Sequence, residues 1–353
     1  MTRRPKDGFL AAYETPRIVR LASNLHAACF ALMKLLPARF MLDRAEDDGR
    51  LPPSGQIVET SSGRFGLALA LLAAVRGYAL TLVSASSLVD PPFVRRLEQL
   101  GARLLLEPDT EATGAQAERL ARLRALLQER PDAFWPRQYD NPDNALAYAR
   151  LAELATEAIG RLDCPVGCVG SGGSLCGAGQ FLRTLFPSLR IVAVDTHGSR
   201  LFGQDPAPRL LRGLGNSILP ANLVHEMIDE VHWIGALPAY AAARRLSRAE
   251  GLYMGPSSGA AWLVADWQAR RSPGAATLVI LADEGHRYRD TFYDDSWLAG
   301  LEGWPPAERQ DPVRLARVAC AGESDWTCLD WARRPLAAVS GKNMTKSYVA
   351  VIR

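Results

Sequence analysis

From residue 56, short apolar runs alternate with helix-period stretches for more than 200 residues. Gln56–Thr60 predicts a strand, and the Ala- and Leu-rich Gly66–Arg76 a helix. Leu80–Ser84 predicts a second strand, followed by a helix opened by Pro91–Pro92 and closed at Gly101. Arg103–Leu106 predicts another strand, and Glu111–Glu129 and Asn144–Ile159 amphipathic helices. Next come a strand at Val166–Val169, a helix from Ser174, a strand at Ile191–Val194, helices at Ala239–Glu250 and from Ser258, and a strand at Thr277–Leu281. Strands apolar on both faces and separated by helices predict an α/β fold with a mostly parallel, helix-covered sheet. The pattern breaks at Pro131–Asp143, where Pro, Asp and aromatic residues predict a functional loop or a domain junction. It stops after about residue 300: Gly303–Asp311 reads as loop, and the tail to Arg353, with Trp326 and Trp331, carries no assignable role.

Composition narrows the class. A length of 353 residues predicts two domains with a remainder, at about 150 residues each. The boundaries expected are a 1–146 N-terminal portion that includes the smaller domain, a larger 147–300 domain, and a 301–353 extension. The longest apolar run, Leu67–Val75, is too short to span a bilayer, and the basic start lacks the apolar core of a signal peptide, which together predict a cytoplasmic protein. A net charge of +3, spread along the chain, argues against nucleic acid as a partner. Cys29, Cys164, Cys168, Cys176, Cys320 and Cys328 form no disulfide framework, and Cys164-x3-Cys168 reads as buried thiols rather than a zinc site. His26, His197, His225, His232 and His286 show no ligand spacing, so no metal is expected.

Among 41 basic residues only Lys6, Lys34, Lys342 and Lys346 are lysines, and only Lys34 lies well inside the folded region. Gly170-Ser171-Gly172-Gly173-Ser174 follows an apolar strand and opens a helix, a combination that cradles phosphate through unobstructed N–H groups and the positive helix end. Two further strand-to-helix loops, Glu59–Gly66 and Met254–Ala260, carry hydroxyls and glycines, and the first adds the cation Arg64. Together with the isolated lysine, they point to a small phosphorylated cofactor and an amino-acid carboxylate. A dinucleotide site is the alternative, because Asp195 ends the next strand as a ribose-binding carboxylate would. Against it, Leu175 occupies the third glycine position of that fingerprint.

Over about residues 14–298 the chain resembles the fold-type II pyridoxal-phosphate enzymes of the cysteine synthase group. Phe134–Tyr139, Val192–Ser199, Arg212–Gly215 and Ile280–Tyr288 resemble the branch of N-(2-amino-2-carboxyethyl)-L-glutamate synthases, which serves diaminopropionate and siderophore biosynthesis. The resemblance implies a tryptophan synthase β-like architecture: two three-layer α/β/α domains with mostly parallel sheets, assembled as a homodimer. It implies that Lys34 attaches pyridoxal 5'-phosphate, that Gly170, Ser171, Gly172, Gly173 and Ser174 bind its phosphate, and that Ser257 faces the pyridine nitrogen. It further implies that Ser61, Ser62, Gly63 and Gln138 hold the substrate α-carboxylate, with Gly213 and Gly215 lining the cleft. Two departures stand out: Ala28–Met33 replaces the Asn-Pro-x-Gly-Ser that precedes the family's lysine, and Arg64 replaces an asparagine beside the cofactor.

The implied reaction is β-replacement on an activated serine such as O-phospho-L-serine by an amine such as L-glutamate, with small-molecule amino acids as partners. A sulfhydrylase making cysteine, a non-catalytic relative acting as a binding protein, and a nicotinamide oxidoreductase remain as alternatives.

Overall fold

The computed structural model describes residues 5–61, 63–110, 115–211, 213–307 and 311–342. Helix α1 (Ala11–Glu14) precedes a hairpin, β1 (Arg17–Ala22) and β2 (Leu25–Cys29), and then helix α2 (Leu35–Asp47). The chain continues through β3 (Gln56–Thr60), α3 (Arg64–Arg76), β4 (Ala79–Ala85), α4 (Pro91–Gln99), β5 (Ala102–Glu107), α5 (Gln116–Glu129) and α6 (Asp143–Leu146). It then forms α7 (Ala149–Ile159), β6 (Cys164–Cys168), α8 (Gly173–Leu185), β7 (Val192–Asp195), β8 (Glu230–Ile234), α9 (Ala236–Glu250), α10 (Pro256–Arg271) and β9 (Thr277–Leu281). Helix α11 (Asp295–Ala299), β10 (Val313–Arg314), β11 (Trp326–Asp330) and α12 (Leu336–Ser340) complete it.

The described residues form two compact units, one from 1–15 and 32–147, the other from 16–31 and 148–353. The hairpin β1–β2 therefore clusters with the second unit, although it falls numerically within the first segment.

In the first unit, β3, β4 and β5 form a parallel sheet in that order, with Gln56 opposite Ala79 and Leu80 opposite Ala102. Helix α3 is apolar almost all round and is buried accordingly, and Gly77, at φ +78°, ends it in the left-handed conformation that costs glycine least. Arg76 near its end pairs with Asp43 (2.7 Å) and Glu46 (3.0 Å) of α2, and Tyr78 donates to the same Glu46 (2.6 Å). These buried charges satisfy one another while Leu35, Met41, Leu42, Leu69 and Leu72 fill the core between the helices and the sheet.

In the second unit the sheet order is β1-β2-β9-β6-β7-β8-β11-β10, parallel from β2 to β8 and antiparallel at β1–β2 and β8–β11. Strands β7, β8 and β9 are buried at every position, as a sheet covered on both faces requires. Strand β8 carries Glu230 and His232 inside this core. It tolerates them because Glu230 Oε1 meets His232 Nε2 (2.6 Å) and accepts from Gln268 Nε2 (2.7 Å), while Trp326 Nε1 donates to His232 Nδ1 (3.0 Å). The polar residues inside a buried run hid this strand from the apolar pattern.

Two other sequence expectations change. The helix expected over Asn144–Ile159 divides into α6 and α7 around Ala147–Tyr148, and residues 111–114 of the expected Glu111–Glu129 helix lie outside the described residues. The tail is part of the second unit: β11 pairs antiparallel with β8, and Trp331 is wholly buried with Phe202 (ring centroids 5.2 Å) and His225 (5.7 Å). Among the described residues no helix is long and apolar enough to cross a membrane.

Because Trp331 fills core volume, Trp331→Ala is expected to lower unfolding stability by about 3–5 kcal/mol. Urea titration measures this; a loss under about 1 kcal/mol would show that the tail packs only loosely.

Candidate active site

In the first unit, the loop leaving β3 is set by Ser61. Its buried hydroxyl accepts from the N–H of Gly66 (2.9 Å) and of Gly63 (3.5 Å), supplying partners to the first turn of α3. That is why α3 begins at Arg64, two residues before the apolar pattern placed it. Gly63 is its N-cap, Arg64 is half-buried as its first residue, and Ser62 lies outside the described residues. Gln138 is buried, and its Nε2 donates to the Thr60 carbonyl (3.3 Å). The fold thus brings Ser61, Gly63, Arg64 and Gln138 together. The segment around Gln138 reaches β3 because Phe134 bridges to Ile57, with Phe134 N–H donating to the Gln56 carbonyl (2.8 Å) and Val58 N–H to the Phe134 carbonyl (3.0 Å).

Lys34 sits at the start of α2, directly after the buried Leu32 and Met33. Loss of hydration pushes its amine down to about 8, so the unprotonated, nucleophilic form is a minority at pH 7 and reaches half near pH 8, far more than an ordinary lysine offers.

In the second unit, the carboxyl end of β6 leads into Gly170-Ser171-Gly172-Gly173-Ser174, and α8 starts at Gly173. Gly172 has φ +84°, and a Cβ there would lie 2.6 Å from the Leu223 backbone, so only glycine fits. At Gly170 a Cβ would point into open space, and Ser171 and Ser174 are buried. Gly215 (φ +74°) donates its N–H to the Val169 carbonyl (2.9 Å), and Asn216 Nδ2 donates to the Gly170 carbonyl (3.3 Å). Gly213 (φ +94°) lies beside Ser257, whose Oγ is 4.0 Å from where a Cβ on Gly213 would stand. Ser257 is in the first turn of α10, and its carbonyl accepts from the Cys168 thiol (3.0 Å). One edge of this sheet therefore gathers the glycine loop, Gly213, Gly215 and Ser257.

Asp195 decides the dinucleotide alternative. It is wholly buried, its Oδ1 accepts from the Thr196 N–H (2.8 Å), and burial pushes its carboxyl up to about 7. A carboxylate closed off in this way cannot hold a ribose.

The family model for pyridoxal-phosphate dependent enzymes matches residues 33–283. This chain belongs to the pyridoxal-phosphate dependent enzyme family. A relative from Cupriavidus metallidurans named N-(2-amino-2-carboxyethyl)-L-glutamate synthase is 34% identical over 298 residues, which are 80% of this chain and 87% of the relative. A probable cysteine synthase from Bacillus subtilis is 33% identical over 264 residues, 73% of this chain and 83% of the relative. Among solved structures, an O-ureido-L-serine synthase is similar with a TM-score of 0.74 and 29% identity, covering 82% of this chain and 98% of the other. An O-acetyl serine sulfhydrylase isoform from Entamoeba histolytica matches with a TM-score of 0.74 and 27% identity, over 83% and 93%.

The residues fit the cofactor. The second unit offers a phosphate the positive end of a 13-residue helix, N–H groups on three glycines and open space at Gly170. The first unit offers an aldehyde a desolvated amine at Lys34. Sequence reasoning missed Glu59, Trp135 and Asn216 at these sites. A carboxylate at Glu59, directly after the apolar Ile57 and Val58 of a buried strand, was the available signal.

Two outcomes are expected. Gly172→Ala strains a left-handed position by about 1–3 kcal/mol and displaces the loop, so cofactor affinity, read from the absorbance of the bound form, falls about tenfold or more. The rate at which cofactor-free protein forms a borohydride-trapped adduct at Lys34, read by peptide mapping, should rise with pH and level off above about 8. A rate still climbing through pH 10 would mean that the amine is hydrated like an ordinary lysine.

Proposed function

We propose that the enzyme performs β-replacement on O-phospho-L-serine with the amino group of L-glutamate, giving N-(2-amino-2-carboxyethyl)-L-glutamate. The observation that carries this reading is the 34% identity over 298 residues to a relative bearing that product's name. Arg64 supports it, because a permanent cation on the residue that opens α3, next to Gly63 of the proposed carboxylate loop, suits acidic reactants.

In this reading Ser61, Ser62, Gly63 and Gln138 orient the substrate through its α-carboxylate. Gly170 to Ser174 hold the cofactor phosphate, and Gly213 and Gly215 leave room for the substrate chain. When bound, pyridoxal phosphate supplies the electron sink that lets Cα release a proton and Cβ its substituent. Lys34 holds the cofactor, takes the Cα proton and later returns it. The Cβ–O bond to phosphate breaks with the electron pair leaving on oxygen, the Cβ–N bond forms, and the glutamate amine loses a proton. The Ser257 hydroxyl, unlike a carboxylate, does not favour a protonated ring nitrogen, a tuning that suits loss of a β-substituent. In this reading the enzyme acts in the cytoplasm as a homodimer.

Mass spectrometry of products from O-phospho-L-serine and single amino acids tests this. The expected result is the glutamate adduct, reduced about a thousandfold by Lys34→Ala. Cysteine from sulfide, with no glutamate adduct, would favour the sulfhydrylase instead. A colourless protein that takes up no cofactor would favour a binding protein.

A further inference from the structure

Glu59 is wholly buried at the carboxyl end of β3, and no role given above uses it. Its Oε1 accepts from the Thr60 backbone N–H (2.8 Å) and the Trp135 indole N–H (3.1 Å), and its Oε2 accepts from the Gln138 backbone N–H (3.2 Å). Every hydrogen-bond partner of this carboxyl among the described residues is thus a donor. An ionised carboxylate meets all of them best, a protonated carboxyl accepts more weakly at its hydroxyl oxygen, and an amide must turn a hydrogen toward an N–H. The partners come from two separate segments. Thr60 opens the loop carrying Ser61 and Gly63, and Gln138 returns a hydrogen bond to the Thr60 carbonyl (3.3 Å), closing a ring. Just before Gln138, Arg137 adopts φ +58°, which a non-glycine residue keeps only where its surroundings hold it.

We infer that Glu59 is the positioning residue of the substrate-carboxylate site, fixing Thr60, and with it Ser61, against Gln138 in one mutual geometry. This rests on reading Ser61, Gly63 and Gln138 as carboxylate-binding residues. Its negative charge is taken up by its own donors, so it acts through geometry and does not attract the substrate. Burial pushes it up to about 7, and its charged neighbours are Asp140, which raises it further, and Arg137, which pairs with Asp140 and lies 5.7 Å over the Trp135 ring. Acidification through about pH 7 therefore neutralises Glu59 and loosens the ring.

The test uses the cofactor-loaded protein and compares L-serine with ethanolamine, which has the amine but no carboxylate, by the change in cofactor absorbance on titration. The ratio of the two affinities isolates carboxylate recognition from amine protonation. In the unaltered protein this ratio should favour L-serine and fall about tenfold from pH 8 to pH 6, a decade per unit once below the titration point. Glu59→Gln should lower the ratio about tenfold at pH 8, the cost of one charge-assisted hydrogen bond, and flatten its pH dependence. Cofactor absorbance without ligand should not change. Trp135→Phe removes one donor to the carboxylate, so the pH dependence should move to higher pH.

A folded Glu59→Gln protein with an unaltered ratio overturns the inference, as does an unaltered protein showing no preference for L-serine. If Glu59→Gln does not fold, an unshifted profile in Trp135→Phe overturns it. Turnover of O-phospho-L-serine is measured separately. If turnover is absent but the ratio still depends on Glu59, the proposed reaction fails and the positioning role stands; normal turnover with an unmoved ratio gives the reverse.

Discussion

A lysine ammonium in apolar surroundings loses most of its hydration, and at Lys34 this desolvation brings the amine down to about 8. That environment has to be built by the fold. Leu32, Met33 and Leu35 around the lysine are buried in the first unit, and helix α2 is fixed in place by Asp43 and Glu46 pairing with Arg76 at the end of α3. The ion cluster and the apolar core therefore do one job together. They hold the start of a helix where its first residues cannot retreat into water.

The second unit meets a different demand, the approach of an anion to backbone. Its central strands are parallel, so their carboxyl ends share an edge, and the turns that follow them gather there. Gly170–Gly173 follow β6, Thr196–Ser199 follow β7, and Asp283 follows β9 to accept, through its carbonyl, the N–H of Gly255 ahead of Ser257 (2.9 Å). Glycine is obligatory at Gly172 and Gly215 for steric reasons within the protein, since a Cβ would strike Leu223 or Thr196. Gly170 differs, because none of the described residues crowds it. The open space there is what a ligand would use.

These differences explain what could be read from the chain alone. The α/β alternation, the three glycine- and serine-rich turns and the lone internal lysine were legible because each depends on local residue type. Strand β9 matched its apolar run, and β3 matched although it holds Glu59. Strand β8 was hidden by Glu230 and His232, whose partners Gln268 and Trp326 are distant in sequence. Strand β2 is short and rich in alanine, and β1 pairs only with it at the sheet edge, so neither carries a strong strand signal. Tertiary pairing also gave the tail its place, through the antiparallel addition of β11. The bonds from the start of α3 to the Ser61 hydroxyl and the ring around Glu59 are hydrogen-bond geometries that no spacing rule records.

Two buried groups of the first unit, Lys34 and Glu59, are displaced toward neutrality from opposite sides, and in the cofactor-free protein they tie stability to pH with opposite signs. Glu59 rises from 4.5 to about 7, so the stability associated with its neutral form is full below about 4.5 and is lost as pH climbs through 7. Lys34 falls from 10.5 to about 8, so the cost of burying its charge is full below about 8 and is relieved as pH rises toward 10.5. Between pH 7 and 8 both penalties are almost fully present. Yet that is the window in which Glu59 is ionised and can hold its donors while Lys34 begins to be available as an amine. The burial costs of these two groups are thus near their fullest where their chemistry is best prepared, and the apolar packing of α2 and α3 against the β3–β5 sheet offsets them.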